Sequence, residues 1–317
     1  MTAYLIRRIV QSAVLLVLVT AIAFGLMRLA PGGPEAVYTL SPTIRAEDIA
    51  RIRASFGLDQ PIPVQYVKWA GGVLKGDWGR SYRDSRPVLD VIADRVPATL
   101  ELAGTALVFA IVVGVSIGVL GALRPHSAFD YLSTIGAMVA LSVPTFWFGL
   151  MVIYIFAEKL DWIPSGGRST LGAPFSLADR LNHLVAPALV LGLVLVAGWS
   201  RYTRAAMLET VNQDYVRTAR AKGIAERPVI WGHAFRNAIA PLVTLAGLQI
   251  PLLFGGALVT ESVFTWPGMG RLFVDSLGYR DYPVMMGVLV ATAILVLLGN
   301  LLADLVIVLI DPRIRMR

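Results

Sequence analysis

Apolar positions along the chain fall in six long blocks, separated by polar connections. The blocks are Ile9–Met27, Leu102–Leu123, Tyr131–Phe156, Leu184–Ser200, Ile239–Thr260 and Val284–Ile310. Each is close to or above the roughly 20 residues that a helix needs to cross a hydrocarbon core. None alternates with period two, so a transmembrane strand barrel is excluded. The pattern predicts an all-α polytopic membrane protein of six transmembrane helices, with residues 1–317 forming one membrane domain. Composition agrees: 56% of residues are hydrophobic and 15% charged, where a soluble domain carries about 25% charged residues.

The formal charge of +7 becomes informative once it is distributed over the connections. With both termini in the cytoplasm, the inner segments hold 13 basic and five acidic residues, and the outer ones 15 of each. That asymmetry satisfies the positive-inside rule. The charge therefore reports topology and not nucleic-acid binding. The start resembles a signal peptide, with Arg7 and Arg8 before an apolar run and Ala21-Ile22-Ala23 within it. The apolar run continues past that point, which favours an uncleaved first span. With no cysteine in the chain, disulfide and thiol chemistry are excluded. His126, His183 and His233 show no metal-ligand spacing, so no metal site is expected.

The largest outer connection is the extracytoplasmic segment 28–98. Ile49, Ile52 and Phe56 have helical spacing, which predicts a helix over Ala46–Phe56 with Gly57 as its stop. Tyr66, Trp69 and Trp78 suit a membrane interface. The segment reads as a small helical cap, and as a docking surface for a substrate-delivery protein. Two shorter outer loops, Lys159–Asn182 and Glu261–Pro283, carry turn signals at Pro164-Ser165-Gly166-Gly167 and Trp266-Pro267-Gly268.

The cytoplasmic loop 201–238 has seven basic and three acidic residues. Asn212 is expected to cap a helix from Gln213 to Lys222, and Gly223 to end it in the left-handed region. Tyr215, Thr218, Ala219 and Lys222 share a face by their spacing, and its small residues would let another protein approach closely. Pro228 fits the first turn of a second helix, and Pro241 is expected to open the fifth span. The stretch Asp214–Pro241 thus reads as a stiff helix–Gly–helix lever.

At these residues the chain resembles a known family. Tyr215-Val216-Arg217-Thr218-Ala219-Arg220-Ala221-Lys222-Gly223, with His233-Ala234-Phe235-Arg236-Asn237-Ala238 and Pro241, is similar to the coupling loop of ABC-type importer permeases, in their dipeptide/oligopeptide branch. The likeness extends along the chain through Ala30-Pro31-Gly32, Gly57-Leu58-Asp59-Gln60-Pro61, Gly76-Asp77-Trp78-Gly79-Arg80-Ser81, Arg86-Pro87-Val88 and Pro97-Ala98-Thr99-Leu100-Glu101-Leu102. It continues through Ser142-Val143-Pro144-Thr145-Phe146, Pro164-Ser165-Gly166-Gly167, Phe264, Trp266-Pro267-Gly268, Gly270 and Asp311-Pro312-Arg313. One departure is that Arg217-Thr218-Ala219 stands where the general importer pattern has Glu-Ala-Ala. The downstream proline is also further from the glycine than in sugar importers.

The resemblance implies a type I ABC importer permease fold and a bacterial inner-membrane location. It implies import of di- or oligopeptides by alternating access, with Asp214, Tyr215, Arg217, Thr218, Ala219, Ala221, Lys222 and Gly223 coupling the permease to ATPase subunits. The implied partners are two ABC ATPases, a second homologous permease, an extracytoplasmic peptide-binding protein, the peptide and membrane lipid. The chain lacks a Gly-x-x-x-x-Gly-Lys-Ser/Thr phosphate loop. It is therefore expected to be no enzyme and to carry no cofactor itself, with ATP and Mg held by the ATPases.

Polar residues within the spans are few. Asn300 and Asp304 lie one turn apart on the last span, and Glu101 begins the second; all three are expected to be structural. Ser142 and Thr145 flank a kink at Pro144, and Gln249 is central in the fifth span; these are substrate-path candidates. Two alternatives stand beside peptide import: a nickel-chelate or other small-solute importer of the same branch, and a proton-coupled secondary transporter using Asp304.

Overall fold

A computed structural model of the chain describes the backbone of residues 2–29, 51, 57 and 59–310. The expected helix Ala46–Phe56, apart from Arg51, lies outside the described residues, as do Ala30-Pro31-Gly32, Asp311-Pro312-Arg313 and the side chain of Asp304. Among the described residues there is no strand, only the isolated bridge Arg80↔Pro87. The long helices are α1 (Thr2–Leu29), α4 (Val96–Leu123), α7 (Leu177–Val211), α9 (Arg236–Val263) and α11 (Tyr282–Ile310). Between them come α2 (Ile62–Leu74), α3 (Val88–Ala93), α5 (Ala128–Ser142), α6 (Thr145–Val152), α8 (Asp214–Ala221) and α10 (Met269–Gly278).

Among the described residues, four helical stretches are long and apolar enough to cross a membrane: Ile6–Leu29, Val88–Leu123, Leu177–Val211 and Tyr282–Leu301. The predicted run Tyr131–Phe156 is not one straight helix. Its halves, Ala128–Ser142 and Thr145–Lys159, meet at 100°. Pro144 has no N–H to donate and drives the preceding Val143 out of the helical region, to φ −82° and ψ 124°. The run Ile239–Thr260 lies inside α9. Pro241 does not open that helix as expected, because winding begins at Arg236, five residues earlier.

The chain divides into two compact units. The first comprises Met1–Pro97, Arg271–Leu297 and Met316–Arg317, the second Ala98–Gly270 and Leu298–Arg315. In the first, α2 packs on α1 through Phe24, Tyr66 and Trp69, whose ring centroids lie 5.7 to 5.8 Å apart. The Tyr66 hydroxyl also lies 3.0 Å from Thr20 Oγ1. Asp281, just ahead of α11, is buried and accepts hydrogen bonds from Ser81 Oγ (2.5 Å) and Tyr82 N (3.1 Å). One carboxylate thereby pins the turn after the bridge to the start of α11. In that turn the Arg86 N–H, 3.1 Å from Asp84 Oδ1, holds the Asp84 carboxyl below the ordinary aspartate range.

In the second unit α4 crosses α7 at Gly114 and Gly118. A Cβ at either position would stand 2.5 Å from a side-chain root, Trp199 Cβ or Thr203 Cβ. Without a hydrophobic force between helices in lipid, such close backbone approach is what holds them. Arg204 of α7 and the buried Asp130 of α5 add a paired contact, with Nε–Oδ1 at 2.5 Å and Nη2–Oδ2 at 2.7 Å.

Candidate coupling site

Helix α8 begins after Gln213, which makes no side-chain cap. The expected cap, Asn212, instead ends α7, its Nδ2 donating to Leu208 O at 2.8 Å. The glycine stop is found as expected. Gly223 has φ +76°, its N–H donates to Arg220 O at 2.9 Å, and Ile224 N–H reaches back to Ala219 O at 3.3 Å. These two bonds form a Schellman closure, which only a residue tolerant of positive φ allows cheaply.

The helix has an inner and an outer side. Val216 and Ala219 are buried in a cluster with Val119 and Ala122 of α4, Met207 of α7, and Val229, Ala234 and Ala238. Burying Val216 alone contributes about 1.5–3 kcal/mol to seating the helix. Ala219 therefore faces the protein's own core, not the outward row with Tyr215, Thr218 and Lys222 that its spacing suggested. An apolar pair at i, i+3 in an otherwise polar helix was the signal for that inner side. Asp214, Tyr215, Arg217, Thr218, Ala221, Lys222 and Gly223 are exposed. The Tyr215 hydroxyl accepts from Asn237 Nδ2 at 3.1 Å, and the same amide donates to His233 O at 2.8 Å.

Beyond Gly223 a short turn, Glu226–Pro228, leads into a π-helical segment, Val229–Phe235, and then directly into α9. Arg220 Nε donates to Glu226 Oε1 at 2.8 Å across the glycine. Both partners are well exposed, so the pair adds little. Arg220→Ala is expected to leave thermal stability within about 0.5 kcal/mol of the wild type, read as the midpoint of heat-induced aggregation in detergent.

The intramembrane candidates do not converge on one place. Gln249 is buried and accepts from Trp199 Nε1 at 3.0 Å. Ser142 Oγ turns back to Met138 O at 2.8 Å. Thr145 lines a 210 Å³ apolar pocket with Gly136, Val143, Phe148 and Leu193. Glu101 does not stand at a helix start, because α4 begins at Val96; its carboxylate instead meets Arg168 Nη2 at 2.5 Å and Arg180 Nε at 3.4 Å. Asn300 is half-buried on α11.

One constellation escaped the sequence reading. Glu261, in the last turn of α9, is fully buried and lies 2.6 Å from Thr99 Oγ1. Thr99 Oγ1 also accepts from Met269 N at 2.8 Å, and Trp266 Nε1 donates to Ala98 O at 2.8 Å. A Cβ at Gly268 would collide with the Glu261 carboxylate, and one at Gly270 with Leu258 one turn earlier on α9. The Trp266-Pro267-Gly268 turn is thus an anchor for the C-terminal end of α9 and not a bare loop.

The family described as binding-protein-dependent transport system inner membrane component matches residues 110–316, and its N-terminal companion matches residues 1–103. The chain belongs to that family. Among curated relatives, this permease is 44% identical over 315 residues to the oligopeptide transport system permease protein AppB of Bacillus subtilis (strain 168), which covers 99% of both chains. It is 36% identical over 336 residues to the dipeptide transport system permease protein DppB of Escherichia coli (strain K12), again over 99% of both. Among solved structures it is similar to the inward-facing MetNI methionine ABC transporter, with a TM-score of 0.58 and 21% identity over 72% of this chain and 99% of that one. That likeness concerns the fold, which is the type I ABC importer permease fold expected from the sequence.

Proposed function

We propose that this permease is the membrane subunit of an ATP-driven importer of di- or oligopeptides, working by alternating access with both termini in the cytoplasm. The observation that carries the reading is the construction of α8. Its underside is embedded in the core between α4 and α7, its end is closed at Gly223, and its outer side is left exposed. A push on that outer side reaches the spans without first deforming a flexible connection. Two ATPase subunits would supply the push, a second permease would complete the pathway, and an extracytoplasmic binding protein would deliver the peptide. The peptide substrate is supported by the full-length likeness to relatives named for oligopeptide and dipeptide transport.

The test is purification of the tagged permease with its bound chains and reconstitution into liposomes. ATP enclosed with the ATPases is expected to drive peptide accumulation that persists after an ionophore collapses the proton gradient. Accumulation that needs the proton gradient and ignores ATP would overturn the proposal.

A further inference from the structure

A cavity of 690 Å³ lies within the first unit, at the end of α1. Its depth follows from where its lining falls along the helices. Phe24 and Arg28 belong to the last two turns of α1, and Tyr282 and Met286 to the first turns of α11. The cavity therefore straddles the level at which hydrocarbon gives way to headgroups. Trp69 and Trp78 complete its wall, as aromatic side chains do at that level.

Its polar lining is incomplete. The Arg28 guanidinium lies 5.1 Å from the Phe24 ring centroid and 5.4 Å from that of Tyr282. Its Nη1 is buried without a hydrogen-bond partner, and so is Gln65 Oε1. Only four buried side-chain atoms among the described residues lack a partner, and two of those four belong to residues that line this one cavity. Each such atom costs about 1–3 kcal/mol. The lining also carries Lys68, Arg80 and Asp77, which gives it three cations against one carboxylate. One orphan donor calls for an anion and one orphan acceptor for a hydroxyl or amine, and the surrounding walls are apolar.

We propose that this cavity holds the headgroup of an anionic phospholipid, its phosphate on Arg28 and Lys68 and its headgroup hydroxyl donating to Gln65 Oε1. Phosphatidylglycerol has both groups. Phosphatidylcholine has no net negative charge and no headgroup donor.

The full-length permease, with the chains that purify with it, is stripped of lipid in detergent and titrated with phosphatidylglycerol, phosphatidylcholine or glycerol 3-phosphate, and the phosphatidylglycerol-loaded protein is then challenged with a dipeptide. Retention is counted by native mass spectrometry. One phosphatidylglycerol is expected to be retained about tenfold more tightly than phosphatidylcholine, the worth of one charge-assisted hydrogen bond. Arg28→Gln is expected to remove the difference, and Gln65→Leu to narrow it. Should Arg28→Gln fail to yield monodisperse protein, Gln65→Leu and the wild-type lipid ranking decide. Equal retention of the two lipids overturns the proposal. So does displacement of phosphatidylglycerol by a dipeptide, which would assign the cavity to a peptide carboxylate. Saturation by glycerol 3-phosphate alone would assign it to a soluble phosphoester and overturn the lipid source.

Discussion

Ala219→Pro is expected to lower ATP-driven peptide uptake by at least about tenfold and to remove the stimulation of ATPase activity by substrate. Proline at 219 deletes the N–H that would bond to the carbonyl of residue 215 and places its ring against that carbonyl, at a cost of about 3 kcal/mol. The helix has only eight residues, too few to hold its form without its packing. The substitution also falls on the buried side, where Ala219 lies in the cluster formed with Met207 and Val229. A helix so loosened would absorb motion rather than pass it on. Size-exclusion chromatography of the purified assembly separates this loss from failed association. Unchanged uptake together with unchanged stimulated ATPase activity would show that α8 is not the coupling element. Thr218→Ala, on the exposed side, should by contrast leave the helix in place, because its hydroxyl bonds only to Asp214 O of its own turn.

Removal of the Glu261 side chain should be as damaging to folding as the proline is to transport. Glu261→Ala leaves a void and takes from the Thr99 hydroxyl its buried partner, which together cost about 2–5 kcal/mol. The expected result is a clear drop in the fraction of permease that survives extraction and in its thermal midpoint. The double variant Glu261→Leu with Thr99→Val should recover part of the loss, since removing both polar partners costs less than removing one. Recovery will be incomplete, because the Met269 N–H still loses its acceptor. A single variant as stable as the wild type would mean that the constellation does not anchor α9.

Much of the architecture was legible because a bilayer imposes a coarse rule, long apolar runs wound as helices. Helix ends were less legible. Five residues before Pro241 and several before Leu102 continue the winding, since wet helix ends extend beyond the hydrocarbon that defines a run. The 100° bend was visible only as a kink at Pro144, because a proline reports a lost hydrogen bond and not the angle that packing then selects. On α8, periodicity grouped Tyr215, Thr218, Ala219 and Lys222, but which side lies inward was decided by Val216 and the neighbours it meets. Glu261 was missed because its partner Thr99 stands 162 residues away, and a carboxylate at the end of an apolar run looks like the edge of a loop. The gap at Arg28 and Gln65 was likewise invisible, as an unmet hydrogen bond is a property of three-dimensional neighbours.

The crossing at Gly114 and Gly118 has a mechanical consequence. Side chains between two helices act as a compliant layer, yielding by rotamer before the backbones move. At this crossing the backbone of α4 rests on the side-chain roots of α7, so that layer is missing and the joint has no play. α7 ends at Asn212 and α8 begins after the extended Gln213, but Val216 and Ala219 of α8 pack on Val119 and Ala122 of α4 and on Met207 of α7, so a displacement of α8 bears on both helices at once. In the proposed alternating-access cycle the two long helices would move as one stiff beam, and the give would fall to the bend beside Pro144 and to other joints of the chain.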